Sequence, residues 1–276
     1  MLIANKSLKK IRKHLNLDLR FISKWLRSNK ISLNSSKTEL LIFRHPSKQI
    51  NYELKLRING RRLYPSDFVK YLGIIIDSHL KWNYHTDFIA PKLTRALGML
   101  TKIRYFVDAN TLRSIYFGIF SSIMLYGVQI WGQLSNKYVN RITRLQDNAI
   151  RIIIFSKFHD SRGQLYKNKN ILKFSDNVHL LNFLFAFDNY KGYLPSIFDN
   201  YFTYSNEQHN YPTRAANRNL ILLPKKFTNV YGIKSITYQS AQSWNTILKE
   251  YLDNDLYNKS KFFCKKFIYK HILNSY

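Results

Sequence analysis

Acidic side chains are sparse in this sequence and stand apart from one another. A nucleic-acid enzyme with a two-metal mechanism needs neighbouring carboxylates that hold divalent ions about 4 Å apart. No two of the 16 Asp and Glu residues are adjacent in the chain. Asp253 and Asp255 have the shortest spacing, and we interpret both as solvated surface residues, which is the ordinary case for carboxylates. The sequence therefore predicts no metal site and no cofactor in this chain.

Other catalytic patterns are also missing. The eight His residues show no spacing such as His-Glu-x-x-His, and no Gly-Lys-Ser/Thr phosphate loop is present. Cys264 is the single cysteine and has lysines on both sides. Nearby cations favour a reactive thiolate, but we favour the alternative of a small apolar residue on a helix face. A lone cysteine is typical of a reducing compartment, so we expect an intracellular protein, cytoplasmic or nuclear.

The charge of the chain is strongly basic. There are 44 Lys and Arg residues against 16 Asp and Glu, a net charge of +28, and the basic residues are spread along the sequence. Such a surface attracts phosphate polymers, so RNA and DNA are the expected partners. Hydrophobic residues make up 45% of the chain, which is enough for a real core. An anionic membrane surface is the second candidate partner.

One uncharged run, residues 114–136, is long enough to span a bilayer. It contains Ser, Gln, Gly and Asn residues, and no second run of this kind accompanies it. We therefore interpret it as a buried helix rather than a membrane anchor. The N-terminus lacks an apolar stretch of signal-sequence length, so we expect neither secretion nor a membrane partner.

Hydrophobic spacing predicts a mixed first part and a helical remainder. Apolar residues at steps of three and four predict an amphipathic helix over residues 7–28. Asn59-Gly60 between alternating runs predicts a hairpin, and the continuous apolar run 71–76 predicts a covered strand. Further predicted elements are a strand at 39–44, helices at about 83–106, 109–131, 136–158 and 175–190, a loop after residue 157, a turn-rich segment at 205–240 and a helical tail at 243–276. The predicted fold class is α+β, mainly helical, with a small antiparallel sheet.

Four segments, in this order, resemble the reverse transcriptases of jockey-like non-LTR retrotransposons. They are "LRFISKWLRSNKISLNSSKTELLIF", "FVKYLGIIIDSHLKWNYH", "LRSIYFGIFSSIMLYGVQIWG" and "RITRLQDNAIRII". The tail segments "HNYPTRAANRNLILLP", "YGIKSITYQSAQSWN" and "KFFCKKFIYKHI" are similar to the C-terminal ends of the same polyproteins. The resemblance covers nearly the whole chain.

The resemblance implies a fragment of an RNA-directed DNA polymerase. Residues 1–80 would be the end of the palm, residues 81–165 a helical thumb and residues 166–276 a C-terminal region. In this family an aromatic-Ala-Asp-Asp turn binds Mg²⁺ immediately before the helix that we predict at 7–28. We therefore expect a chain that binds primer–template duplex but lacks the catalytic carboxylates, is inactive alone and has the missing N-terminal polymerase half as a partner.

The resemblance also implies roles for individual residues. Lys37 matches a palm-loop lysine proposed to protonate the pyrophosphate leaving group; a phosphate-binding surface lysine is the alternative. Tyr71, Leu72 and Gly73 would belong to a primer grip, where a glycine lets backbones approach closely; a core strand is the alternative. The expected contacts to the sugar-phosphate backbone are Arg57, Arg61 and Arg62 of the hairpin and Lys92, Arg95, Lys102 and Arg104 of the thumb-like helix.

The corner after the strand at 71–76 is polar and aromatic, and the resemblance makes it the junction of palm and thumb. We interpret Trp82 as packing against the start of the next helix and His85 as the partner of a helix-end group. Three further tryptophans, Trp25, Trp131 and Trp244, are assigned to packing. Two alternative functions stay open: a stand-alone basic RNA- or DNA-binding module without polymerase activity, and a non-functional transposon relic.

Overall fold

The computed structural model describes residues 2–5, 7–34, 37–48, 54–58, 60–155, 162–207, 219–225, 228–250 and 256–276. The chain forms two compact units, residues 1–85 and residues 86–276. Helices predominate and the strands form two-stranded pairs, which confirms the predicted α+β, mainly helical class. The division of the helical part into thumb and C-terminal region stays a prediction.

The first unit contains the predicted amphipathic helix, α1 (Leu8–Ser28). Its apolar residues recur every three or four positions, so Leu15 and Leu19 share one face of the helix. Leu19 is buried in a cluster against which Leu15 packs. The other buried members are Leu54, Leu56, Ile58 and Leu63. Burial of this one face is what holds the helix against the hairpin strands.

The opposite face of α1 is uncovered. Leu17, Phe21 and Trp25 follow one another at four-residue steps and are 41%, 71% and 60% exposed. The assignment of Trp25 to packing is therefore wrong, while Trp131 and Trp244 are fully buried as predicted. The physical reason is that α1 carries two apolar stripes about 200° apart, and the structure covers the stripe that contains Leu19.

Within the described residues, six short strands follow α1 and pair two by two. They are β1 (Leu40–Leu41), β2 (Leu56–Ile58), β3 (Arg61–Leu63), β4 (Pro65–Ser66), β5 (Phe68–Tyr71) and β6 (Ile74–Asp77). The pairs β2–β3 and β5–β6 are antiparallel, and β1–β4 is parallel. The β2–β3 pair matches the hairpin predicted around Asn59-Gly60: Ile58 faces Arg61, and Gly60 has a φ of 79°. Asn59 itself lies outside the described residues.

The single strand predicted at 71–76 is wrong. The chain reverses at Leu72 and Gly73, so that Tyr71 pairs with Ile74 and Val69 with Ile76. Leu72 has a φ of 46° and Gly73 a φ of 82°, the left-handed backbone that a two-residue type I′ turn requires. Gly73 alone signals this turn in the sequence, since leucine rarely adopts a positive φ.

Helices form the second unit. Their bounds are α2 (Asn83–Ile103), α3 (Ala109–Ile115), α4 (Ser122–Leu125), α5 (Val128–Trp131), α6 (Asn136–Ile154), α7 (Arg162–Asn168), α8 (Phe174–Tyr190), α9 (Ile236–Glu250) and α10 (Lys261–Asn274). Helix α7 lies where a loop was predicted. Leu165 and Tyr166 are buried there, and the Tyr166 hydroxyl donates a hydrogen bond to the buried Asp147 at 2.8 Å. Tertiary packing thus makes a helix from a segment whose local sequence favours a loop.

The uncharged run at 114–136 is neither one continuous α-helix nor fully buried, since Tyr126 and Ile130 are 55% and 52% exposed. A π-helical turn, Tyr116–Ser121, connects α3 to α4, and Gly127 has a φ of 60° before α5. Tyr116, Phe120 and Trp131 are completely buried. Within the described ranges, every helix is too short or too polar to cross a lipid bilayer.

A cluster of buried residues lies between α8 and α9. The Trp244 ring stacks on Phe183 with centroids 5.3 Å apart, and its indole N–H donates to the Asn219 carbonyl at 2.8 Å. Leu256 and Cys264 belong to the same cluster and connect it to α10. The helical tail predicted at 243–276 is thus part of the core.

Candidate nucleic-acid interface

A buried carboxylate organises the corner that follows β6. Asp77 is 3% exposed. Its two oxygens accept hydrogen bonds from the backbone N–H groups of His79, Lys81 and Trp82, at 3.0, 3.1 and 2.8 Å. Leu80 and Trp82 have φ angles of 51° and 63°, a backbone that costs energy for residues other than glycine. Asp77 therefore holds a strained turn in place at the start of α2.

Trp82 and His85 support the same corner from inside. Trp82 is 8% exposed, in agreement with the packing role predicted for it. The Ile75 backbone N–H donates to His85 Nδ1 at 3.2 Å, so the histidine satisfies a backbone group of β6, and its contact with a helix-end group stays a prediction. Both side chains are structural, and the surface that they support is the β5–β6 hairpin.

The tip of the β5–β6 hairpin projects the predicted primer-grip residues into solvent. Tyr71 is 64% and Leu72 is 71% exposed, and the backbone of both Leu72 and Gly73 is left-handed. The alternative of a core strand is therefore wrong for these leading residues, whereas Ile74 and Ile75 of β6 are buried. Leu72 is an apolar residue that is exposed to solvent and has a left-handed backbone, which costs conformational energy. Residues held in unfavourable backbone conformations are concentrated at functional sites.

Replacing Leu72 by asparagine should raise the free energy of unfolding of the hairpin by about 0.5 to 1 kcal/mol, because asparagine tolerates a positive φ. Urea unfolding would measure the gain. Leu72→Ala is the matched control, since alanine keeps the cost of the left-handed backbone and should give no gain. Equal stability of the asparagine and alanine variants would contradict the proposed strain.

The β2–β3 hairpin carries the three predicted arginines. Arg57 and Arg62 are direct cross-strand partners, and Arg61 follows the turn. Arg57 and Arg61 are exposed, while the guanidinium of Arg62 lies 5.2 Å from the ring centroid of Tyr64. The hairpin thus concentrates positive charge, and its role in phosphate binding stays a prediction.

The predicted general acid, Lys37, lies in an exposed turn. Its backbone N–H donates to the carbonyl and to the side-chain oxygen of Asn34, both at 3.2 Å. Residues 35 and 36, which precede it in the motif, lie outside the described residues. The exposed position suits contact with a phosphate, and the catalytic role stays a prediction.

The predicted cations of α2 divide into two groups. Arg95 and Lys102 are exposed and seven residues apart, which places them on one face of the helix. The Lys92 ammonium lies 3.8 Å from the Phe88 ring centroid. Arg104 follows the last residue of α2 and is half-buried. Its guanidinium lies 4.6 Å from the Phe155 ring centroid, so Lys92 and Arg104 contact aromatic rings while Arg95 and Lys102 are exposed.

A groove with a volume of about 990 Å³ and basic residues on its wall lies between α2 and α6 in the second unit. We call it the α2/α6 groove. Its residues are Asp87, Ala90, Pro91 and Thr94 of α2 and Lys137, Tyr138, Asn140, Arg141, Arg144 and Leu145 of α6. Arg141 forms an ion pair with Asp87 on the groove wall, and both side chains are about half exposed. Lys137 and Arg144 add two exposed cations.

The cations of α6 were missed in the sequence. Lys137, Arg141 and Arg144 are separated by four and three residues, the spacing of one helix face. That spacing was available as a signal within "NKYVNRITRLQDN". The sequence did not show that α2 lies against this face of α6. The groove forms because α2 supplies its second wall.

The described residues offer no metal centre. Within the ranges given above, no three His, Cys, Asp or Glu side chains lie close enough together to hold a metal ion. Asp253 and Asp255 lie outside the described residues. The Mg²⁺ that the resemblance implies for a complete polymerase therefore does not fit the described side chains. Cys264 is buried, and its thiol donates to the Leu256 carbonyl at 3.0 Å, as expected for a packing residue.

Comparison with known proteins gives matches among transposon polymerases. The chain is 27% identical over 143 residues to the "Probable RNA-directed DNA polymerase from transposon BS" of Drosophila melanogaster, covering 46% of this chain and 16% of that protein. It is 24% identical over 166 residues to the "Probable RNA-directed DNA polymerase from transposon X-element" of the same species, covering 57% of this chain and 17% of that protein. No protein-family model matches the chain, and no solved structure matches it significantly.

The two matched polymerases are much longer than this chain, which spans about a sixth of their length. The similarity extends over about half of the 276 residues. This chain therefore contains a region similar to the reverse transcriptases of non-LTR transposons.

Proposed function

We propose that this chain is a nucleic-acid-holding part of an RNA-directed DNA polymerase and binds primer–template duplex. The observation that carries the proposal is the α2/α6 groove, in which three cations line one concave surface. The similarity to transposon polymerases and the net charge of +28 support the same partner. Phosphate contacts of this kind give affinity without sequence preference.

The groove has the geometry for following a phosphate backbone. Lys137, Arg141 and Arg144 occupy successive turns of α6, so their Cα atoms are separated along the helix axis by about one helical pitch, or 5.4 Å. Asp87 pairs with Arg141, so a phosphate has to compete with this carboxylate for the Arg141 guanidinium, whereas Lys137 and Arg144 are the exposed cations of the groove. Arg95 is adjacent in sequence to the groove residue Thr94 and extends the positive surface along α2.

The first unit contributes a second set of contacts in this proposal. The exposed tip at Tyr71, Leu72 and Gly73 contacts the primer strand, and Arg57 and Arg61 contact sugar-phosphate. Lys37 serves as the general acid or, alternatively, as a phosphate ligand. We propose that the Mg²⁺-binding carboxylates of the reaction come from another polymerase segment, the N-terminal half, which is therefore a partner of this chain.

A matched pair of charge-reversal variants tests the proposal. Lys137→Glu with Arg144→Glu alters the groove, and Lys265→Glu with Lys270→Glu makes the same change of net charge on two exposed residues of α10. The groove variant should bind an RNA–DNA duplex roughly 10- to 100-fold more weakly. The slope of log K against the logarithm of the salt concentration should fall by the equivalent of about two phosphate contacts. The control should weaken binding by less than about threefold, since salt screens distant charges. Fluorescence anisotropy at several salt concentrations measures both effects.

Two outcomes would contradict the proposal. Equal losses in the groove variant and in the α10 control would mean that net charge alone attracts the duplex. Template copying by the purified chain without the N-terminal half would contradict the assignment of the metal ligands to another segment.

A further inference from the structure

A smaller cavity, of about 310 Å³, lies in the second unit where the end of α5 and the start of α6 meet α8 and α9. We call it the α8/α9 cavity. Its polar residues include Asn136, Ser175, His179, Asn182, Gln239 and Ser243. No Asp, Glu, Lys or Arg side chain is among the described residues that line it. The cavity is thus polar but lacks formal charge from these four residue types.

Asn182 is the unusual residue of this cavity. Its side chain is 1% exposed, and its Oδ1 atom has no hydrogen-bond partner among the residues that the structure describes. A buried acceptor without a partner costs about 1 to 3 kcal/mol of stability. A ligand that donates a hydrogen bond to Asn182 Oδ1 would remove this cost.

The neighbouring side chains add acceptor positions. The Nε2 group of Gln239 donates to the Ile233 carbonyl at 2.7 Å, which leaves the side-chain oxygen of Gln239 to accept. Ser243 Oγ and His179 Nδ1 are 2.9 Å apart and hydrogen-bonded. Burial lowers the pKa of His179, which favours the neutral imidazole. The wall therefore offers acceptors to an uncharged ligand rather than countercharge to an ion.

We propose that the α8/α9 cavity binds one unpaired nucleobase that carries an amino group: guanine, adenine or cytosine. This inference rests on the proposed function, because the nucleic acid bound by the chain supplies the base. An exocyclic amino group donates two hydrogen bonds, whereas uracil has a single N–H on its pairing edge. The volume lies at the low end of ligand pockets and suits a single base. The first turn of α6 borders this cavity through Asn136 and the α2/α6 groove through Lys137.

The experiment uses the full chain and the free nucleotides GMP and UMP as probes, with affinity measured by calorimetry. GMP should bind at least about fivefold more tightly than UMP, since each hydrogen bond to a buried acceptor favours the donor-bearing base. Asn182→Leu should weaken GMP binding by at least about tenfold. The same variant should melt at the wild-type temperature or above it, because the unpaired Oδ1 atom is gone. Asn182→Ala is the second variant, and Asn200→Leu, at an exposed position, is the matched control.

A second binding experiment, with single-stranded RNA, identifies the source of the base. If Asn182→Leu also weakens binding of a mixed-sequence RNA strand, the base belongs to the polynucleotide; if only GMP binding falls, the ligand is a free nucleotide. Both results support a base-binding cavity. GMP binding of equal strength in the wild type, Asn182→Leu and Asn182→Ala, binding of UMP as tight as that of GMP, or no nucleotide binding at millimolar concentration would overturn the inference. The groove variants test the proposed function separately, because they leave this cavity intact.

Discussion

Replacing Gln146 by leucine is expected to lower the free energy of unfolding of the second unit by roughly 3 to 4 kcal/mol. Gln146 is completely buried in α6. Its Oε1 accepts from the Phe174 backbone N–H at 2.8 Å, and its Nε2 donates to the Tyr116 hydroxyl at 3.1 Å and to the Leu172 carbonyl at 2.9 Å. Leucine keeps the volume but leaves the Phe174 N–H and the Tyr116 hydroxyl without these partners in a region that excludes water.

Urea unfolding monitored by circular dichroism measures this loss. The control is Asn148→Ala, an exposed residue of the same helix, which should change the free energy of unfolding by less than about 0.5 kcal/mol. If the two variants proved equally stable, the three hydrogen bonds of Gln146 would contribute nothing net and the π-helical turn around Tyr116 would be held by packing alone.

Replacing Asp77 by alanine should lower the free energy of unfolding of the first unit by about 3 kcal/mol, since hydrogen bonds to a charged group contribute about 1.5 to 3 kcal/mol each and partial access of water reduces the loss. The backbone N–H groups of His79, Lys81 and Trp82 lose their acceptor. The turn that contains the left-handed residues Leu80 and Trp82 then loses the carboxylate hydrogen bonds that offset its conformational cost.

Hydrogen exchange is the sharpest measurement, because faster exchange should concentrate at the amides of residues 79–82. Asp67→Ala is the matched control: Asp67 is exposed in the same unit, and its backbone carbonyl, which accepts from Ser78, is unaffected. Faster exchange in the control, or unchanged exchange at Trp82 in Asp77→Ala, would show that the turn does not depend on the carboxylate.

Elements with a strong local signal were predictable from the sequence. Apolar spacing gave the position of α1 to within one residue, and Asn59-Gly60 located the β2–β3 hairpin. The same periodicity predicted α2, α6 and α8. In each case the pattern and the tertiary environment agree, so a local reading was sufficient.

Elements that depend on long-range contacts were not predictable in this way. The apolar run at 71–76 has the composition of one strand, and only the pairing of Val69 with Ile76 reveals the reversal. Helix α7 depends on burial of Tyr166 beside Asp147. Trp25 lies on an apolar stripe that has the spacing of a core face but is uncovered, and sequence alone cannot tell which of two stripes is covered.

In the candidate sites too, features with a local sequence signal were predictable and features that depend on long-range contacts were not. The charged residues of α2 were found because their spacing is local, but the partner helix that completes the groove was not. Asn182 gave no signal at all, since a single asparagine within an apolar helix is informative only when its surroundings are known. Sequence reasoning thus indicated the kind of partner and left the concave surfaces to the structure.

The uncovered stripe of α1 affects how the protein behaves at different ionic strengths. In dilute salt, a charge of +28 keeps separate molecules apart. Concentrated salt screens that repulsion, and salts such as sulfate strengthen apolar attraction. Phe21 and Trp25 then become sites of self-association. Colloidal solubility and high ionic strength are therefore opposing demands on this surface.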